Sequence, residues 1–314
     1  MTLTLEPVDG IGEVRAGDDV AALIAEHATL QDGDVVVVTS KIVSKAAGLA
    51  ADDKERLLAE QTDRVVAERG GTRIVRTHHG LTMAAAGIDG SNVAAGSFLP
   101  LPPDPDASAR EIRAGLARLA GCRVAVVISD TAGRAWRNGQ TDIAIGCAGL
   151  LPLDPFAGRE DTYGNPLVVT APAVADEVAA AAELASGKLG QRPVVVVRGL
   201  DERLLTEDDG PGAASIIRPE DGDLFGLGSR EAVVAALAGP SRGFPSSDAT
   251  PADLVELAAV PEGLTVTVEG TTIWVDSADP VAAGALRQRL VALGHAHGLE
   301  VDVVLSDADP DARA

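Results

Sequence analysis

Aromatic rings and lysines are scarce in this chain. The 314 residues hold four Phe, two Trp and one Tyr, 2% in all. Packing therefore falls to Ala, Val, Leu and Ile, and a surface that stacks bases on exposed rings is disfavoured. Cysteine is nearly absent: Cys122 and Cys147 give neither a zinc-ligand spacing nor a disulfide framework. Both sit among apolar or small residues and read as buried thiols. No run approaches 18 consecutive apolar residues, which argues against a membrane span. The opening MTLTLEPVDGIGEV has no basic start, apolar core or cleavage site, so a cytoplasmic protein is expected. No Walker A loop occurs and no GxGxxG opens a helix, so neither common type of nucleotide site has support.

Positive charge is also short, with 47 acidic against 26 basic side chains and a formal charge of −21. A field of that sign disfavours nucleic acid and anionic membrane as partners. An enzyme acting on anions inside such a protein needs a local cluster of cations, or bound metal ions. The length and an apolar fraction of 46% allow one large domain or two.

Along the chain, a first strand leads through Gly10-Ile11-Gly12 to a helix over 18–26. Three β-branched runs read as strands buried on both faces: 34–38, 124–128 and 193–197. An Ala/Glu/Arg-rich helix is expected over 52–69, followed by short strands at 73–76 and 81–85. After a proline-rich stretch at 99–106, Ser108 can cap a helix running to 119, and an Ala-rich helix covers 173–185. The expected organisation is a large domain over 1–239, a linker over 240–250, a small α/β module over 251–305 and a disordered tail over 306–314. The module reads as a helix at 252–259, strands at 264–269 and 272–276, a helix at 280–293 and a strand at 299–305.

Three polar clusters could carry chemistry. Ser40-Lys41 with Lys45 follows a buried strand and holds two of only four lysines. Flexible ammonium groups beside hydroxyls suit phosphate, although a solvated turn has the same appearance. Gly87-Ile88-Asp89-Gly90-Ser91-Asn92 offers oxygen ligands for Mg²⁺ or Mn²⁺, or else an Asx-turn in which those side chains bond their own backbone. Ser129-Asp130-Thr131-Ala132-Gly133-Arg134, with Arg137, can hold a metal and an anion together, unless the arginines only pair with surface carboxylates. Asp161-Thr162-Tyr163-Gly164-Asn165 reads as a turn. His78 and His79 would point to opposite faces of a strand, and His295 and His297 read as surface residues.

Taken in order, GIGEV, LQDGDVVVVTSKIVSKAAG, HGLTMAAAGIDGSNV, LPPDPDASAREIRAGL, VISDTAGRAWRNGQTDIAIG and TYGNPLVVT resemble the coenzyme F420-0:L-glutamate ligase family. The likeness is collinear over about 5–235 and extends to VVVVRGL and GPGAASIIRPEDGDLFGLG, which is similar to the actinobacterial form. The resemblance implies an α+β fold, with mixed and antiparallel sheets and flanking helices, and a homodimer. It implies a GTP-dependent ligase that joins L-glutamate to coenzyme F420-0 through an acyl phosphate, giving F420-1 and γ-linked F420-2 or longer. Two divalent ions, Mg²⁺ or Mn²⁺, are implied, and a potassium ion is allowed. Alternatives are another nucleotide-dependent amide ligase on the same scaffold, or a non-catalytic F420-binding protein.

Carried over by position, GTP contacts fall on Gly10, Ile11, Gly12, Glu13, Ser40, Lys41, Lys45 and Asn92. Metal ligands fall on Asp89, Asp130 and Thr131, and Lys41, Lys45 and Arg134 would stabilise phosphates. In the loop before VVVVRG, Lys188 stands where the family implies a metal-binding oxygen. That ligand stays unassigned, with Gln191 as one candidate.

Overall fold

The computed structural model describes residues 2–91, 93–219, 223–239, 244 and 247–306. Asn92, most of the expected linker and the tail from 307 onward lie outside them. The chain divides into two units, Met1–Ile217 and Arg218–Ala314. Among the described residues no helix is long and apolar enough to cross a membrane.

The first unit is a mixed α+β structure. Its elements are β1 (Thr4–Pro7), α1 (Val20–His27), β2 (Val35–Thr39), α2 (Ser40–Ala46), α3 (Lys54–Gln61), β3 (Thr62–Arg69), β4 (Thr72–Thr77) and β5 (Thr82–Ala84). They continue through α4 (Pro105–Ala120), β6 (Ala125–Arg134), β7 (Arg137–Ala148), the short pair β8 (Arg159–Glu160) and β9 (Pro166–Leu167), α5 (Val174–Ser186) and β10 (Val194–Arg198). The main sheet has the order β1-β10-β2-β6-β7. Only β2 and β6 pair in parallel; the other neighbours are antiparallel.

The β-branched runs fill the centre of this sheet because period-two alternation sends successive side chains to opposite faces. Val36, Val38, Val126, Ile128, Val194 and Val196 share one core with Ile24 of α1 and Ile112 and Leu116 of α4. Val35, Val37, Val127, Val195 and Val197 share the other with Val174, Val178 and Ala182 of α5. Both faces are therefore covered, and continuous Val runs, not alternating ones, are what such strands require. Truncating a fully buried anchor such as Ile24 or Leu116 to Ala costs about 2–5 kcal/mol in cores of this kind.

Three expectations need correction. The helix expected over 52–69 ends at Gln61, and Thr62–Arg69 is strand β3. Gly70 and Gly71, with φ of 56° and 80°, supply the left-handed two-residue turn that returns the chain to β4, where Arg69 pairs with Thr72. Pairing with β4 overrides the helical propensity of the Ala, Glu and Arg residues. The helix expected from Ser108 begins at Pro105 instead. Asp104 is its cap, accepting from the Ala107 N–H at 2.8 Å, and proline at the first position needs no amide partner. The strand expected at 124–128 runs on to Arg134, so the Ser129–Thr131 cluster lies within β6 and not beyond its end.

A buried carboxylate ties α4 to the sheet. Asp106 Oδ1 accepts from the Cys147 and Ala213 N–H groups at 2.8 and 2.7 Å, and Oδ2 accepts from Ala214 at 3.1 Å. Arg203 grips a second carboxylate, Asp154, with two bonds of 2.7 and 2.6 Å. Those hydrogen bonds hold the Asp154 carboxyl below the usual range; burial opposes them and the charges of Arg203 and Arg159 add to them. A carboxylate with a lowered folded pKa contributes stability above the ordinary range near pH ~4, lost as pH falls through the folded value. Arg203→Met should therefore melt below wild type at pH 7, and the gap should close on acidification. A gap that is the same at every pH would show that the ion pair is not its source.

The second unit contains α6 (Ser229–Ala238), α7 (Pro251–Leu257), β11 (Thr265–Glu269), β12 (Thr272–Asp276), α8 (Pro280–His297) and β13 (Asp302–Ser306). Its sheet has the order β11-β12-β13, antiparallel then parallel. Leu254, Ile273, Val275, Leu286, Leu290 and Val303 form the core. The expected helix–strand–strand–helix–strand order is present, with α8 running to His297, past the expected stop at 293. His295 bonds the Ala236 carbonyl and His297 the Ser247 hydroxyl. In sequence, α6 lies before the expected linker; in the structure it falls within this unit.

Candidate functional site

The site lies where the parallel pair β2 and β6 ends. Thr39 and Ser129 are partners in register there, and α2 starts at the very next residue, Ser40. Two segments 90 residues apart are thereby joined: the Ser40 hydroxyl donates to Asp130 Oδ1 at 2.7 Å. Lys41 and Lys45 sit one turn apart on α2, so both reach the same side of the helix. Lys41 Nζ lies 2.7 Å from Asp89 Oδ2. Lys45 Nζ lies 2.6 Å from Glu13 Oε1 on the N-terminal loop.

A cavity of about 740 Å³ opens beside these groups, within the size range of small-molecule sites. Ile11, Gly12 and Glu13 line it from the N-terminal loop, Lys41 and Lys45 from α2, and Ser129, Thr131 and Asp142 from the β6–β7 hairpin. The end of α5 and the following loop add Glu183, Ser186, Lys188, Gln191 and Arg192. The cations that an acidic protein needs for anions are thus lysines 41, 45 and 188 and Arg192.

Each candidate can now be placed. Ile11, Gly12, Glu13, Lys41, Lys45 and Thr131 line the cavity, and Gly10 immediately precedes that lining. Ser40 and Asp130 are buried behind it, and Asp89 reaches it through Lys41. Asp89 also accepts from the Ser91 N–H and hydroxyl, so the Asx-turn and the ion pair coexist. Asn92 lies outside the described residues. Arg134 is exposed near the tip of the β6–β7 hairpin, donates to the Asn138 carbonyl at 2.9 Å and does not line the cavity. His78 and His79 occupy the β4–β5 turn, not a strand, with His79 bonded to the Pro102 carbonyl. The 161–165 turn connects β8 and β9, away from the lining.

Charge is concentrated around Lys41. Burial lowers the pKa of its ammonium, but the hydrogen bond to Asp89 and the charges of Asp130, Asp89 and Asp142 outweigh that and raise it. Burial pushes the Asp130 carboxyl up to about 6, against the pull of Ser40 and Lys41 and with the help of Asp142 and Asp89. Asp89 is itself half-buried, which works against ionisation. Its bonds from Lys41 and Ser91 prevail and hold it below the usual range. Three carboxylates thus converge on one cation.

The same field suits hard divalent ions such as Mg²⁺ or Mn²⁺, with the carboxylates Asp89 and Asp130 as oxygen donors for one and the Thr131 hydroxyl, on the other face of β6, as a donor for a second. Among the described residues no three His, Cys, Asp or Glu side chains make a complete metal cage. An ion here would take the rest of its shell from hydroxyls, water and ligand phosphates, the usual arrangement for Mg²⁺. The residue that reading the sequence missed is Asp142. Its segment RNGQTD carries no strong strand pattern, and only the pairing of Thr131 with Asp142 brings it into the site.

The family described as F420-0:Gamma-glutamyl ligase matches residues 10–56 and 53–199. The Coenzyme F420:L-glutamate ligase of Methanopyrus kandleri is 40% identical over 246 residues, 71% of this chain and 98% of that protein. The enzyme of the same name from Archaeoglobus fulgidus is 38% identical over 222 residues, covering 64% and 89%. That of Methanothermobacter thermautotrophicus is 39% identical over 254 residues, covering 72% and 99%. With a family match that covers β2, β6, β7, β10 and every residue lining the cavity, and relatives about 40% identical along nearly their whole length, this chain belongs to the F420-0:gamma-glutamyl ligase family.

Proposed function

We propose that this chain is a GTP-dependent ligase that joins L-glutamate to coenzyme F420-0. One observation carries the reading: Lys41 and Lys45 line one cavity, and Asp89, Asp130 and Asp142, from three further segments, act together on Lys41, in a chain about 40% identical to Coenzyme F420:L-glutamate ligases.

A carboxylate is a poor acyl donor, so amide formation needs an activated acid. In the proposed reaction a carboxylate oxygen of F420-0 attacks the γ-phosphorus of GTP. The bond to the β-phosphate oxygen breaks, GDP leaves and an acyl phosphate forms. The glutamate α-amine then attacks the acyl carbon, forming the C–N bond as phosphate departs and the amine proton passes to solvent. Repetition on the γ-carboxylate gives F420-2 or longer.

Asp89, Asp130 and Thr131 would hold divalent ions, which when bound neutralise charge on the phosphates. Lys41 and Lys45 supply positive charge from one helix face. Lys45 is paired with exposed Glu13, an arrangement that a polyphosphate can displace because exposed ion pairs are weak. Val37, Ile42 and Val195 give the cavity an apolar stretch of wall beside the charged groups. Action as a homodimer belongs to the same reading.

GDP release measures the coupling. With GTP and Mn²⁺ present, release should require both F420-0 and L-glutamate, and ATP should not replace GTP. Release that ignores glutamate would reject the ligase reading.

A further inference from the structure

Asp142 lines the cavity, is 6% exposed and has no part in the steps above. Its two oxygens are divided between two hydroxyls. Oδ1 accepts from Thr131 Oγ1 at 2.8 Å, and Oδ2 accepts from Ser129 Oγ at 2.9 Å. Ser129 and Thr131 stand two apart on β6, so they share a face, and all three side chains border the same space.

A hydroxyl has one proton and two acceptor lone pairs. Once its proton is committed to a carboxylate, it can only accept from, or coordinate, whatever else approaches. We propose that Asp142 is a positioning residue: by taking both protons it fixes Ser129 and Thr131 as oxygen donors toward a divalent cation in the cavity. The inference rests on reading Asp89, Asp130 and Thr131 as cation ligands. It adds Ser129 to the donor set and gives the hydroxyls their orientation. Carboxylates that orient ligands in this way typically change metal affinity 10–100-fold when removed.

Asparagine at this position makes the distinction. Its carbonyl accepts from one hydroxyl, but its NH₂ can only donate. The second hydroxyl must then reverse, turning its proton toward the cation.

The test is titration of the full-length protein with Mn²⁺ alone, following free Mn²⁺ by electron paramagnetic resonance, with thermal unfolding of each variant alongside. Asp142→Asn should weaken Mn²⁺ binding by about 10–100-fold while leaving the unfolding transition close to wild type. Asp142→Glu, which keeps two acceptor oxygens, should bind Mn²⁺ more tightly than D142N. In an S129A/T131V background, adding D142N should change affinity by less than about threefold, a small fraction of its effect in wild type. The proposal is overturned if D142N binds within twofold of wild type. It is equally overturned if D142N does the same damage without the two hydroxyls, or if D142N and D142E both fail to fold. Neither F420 nor GTP enters this titration, so its outcome is separate from that of the ligase reading.

Discussion

Asp130→Asn should give a folded protein that has lost roughly 10²–10³-fold in glutamate ligation, the equivalent of about 3–4 kcal/mol of transition-state stabilisation. The substitution is nearly isosteric, and an amide oxygen can still accept from Ser40, which now donates at 2.7 Å. What disappears is a negative charge placed beside Asp89, Asp142 and Lys41. Stability should move the other way. A carboxyl raised to about 6 by burial is costly to ionise, so at pH 7 it opposes folding, and that cost fades as pH falls below 6. In metal-free buffer at pH 7, D130N should therefore melt no lower than wild type. Loss of activity together with an unchanged or higher Tm assigns Asp130 to the reaction. Turnover within threefold of wild type would remove it from the site.

Gly146→Ala should produce the largest loss of stability from the smallest chemical change. Gly146 of β7 pairs with Ile128 of β6, the residue immediately before Ser129, where β6 enters the site. A Cβ there would run into the carbonyl carbon and oxygen of Pro105, the first residue of α4. That obstacle is backbone, and it is fixed. Pro105 is locked at the helix start, and next to it Asp106 is anchored by Cys147, Ala213 and Ala214. Relief would require α4 to move off the sheet that it covers with Ile112 and Leu116. Overpacking of this kind costs about 3 kcal/mol or more, a fall in Tm of roughly 10 °C for a unit of this size. Gly133→Ala is the control, because nothing lies within 4 Å of a Cβ there. If G146A melts within 2 °C of wild type, the helix–sheet contact is softer than the geometry implies.

Much of this was legible in the residues. Val35–Val38, Ala125–Ile128 and Val194–Val197 announced strands covered on both faces, because no half-exposed strand tolerates such runs. Ser40, Lys41 and Asp130 stood out as polar groups at the ends of those runs, and parallel pairing of β2 with β6 makes them neighbours. Illegible features depended on which strand each segment pairs with and in what register. Thr62–Arg69 has helix-forming composition and is a strand because β4 is available to it. Asp142 looks like any loop carboxylate until the hairpin register sets it opposite Thr131. Of the cations expected at Lys41, Lys45 and Arg134, the two lysines line the cavity and Arg134 does not, while Lys188 and Arg192 of the α5–β10 loop add to the lining. Lys188, Gln191 and Glu183 all border the cavity.

The most direct measurement is the mass of the product. Protein incubated with F420-0, L-glutamate, GTP and Mn²⁺ should convert F420-0 to a species heavier by one glutamyl residue, and D130N should not. F420-0 recovered unchanged by the wild-type protein, or glutamylated equally well with GTP left out, would contradict the account.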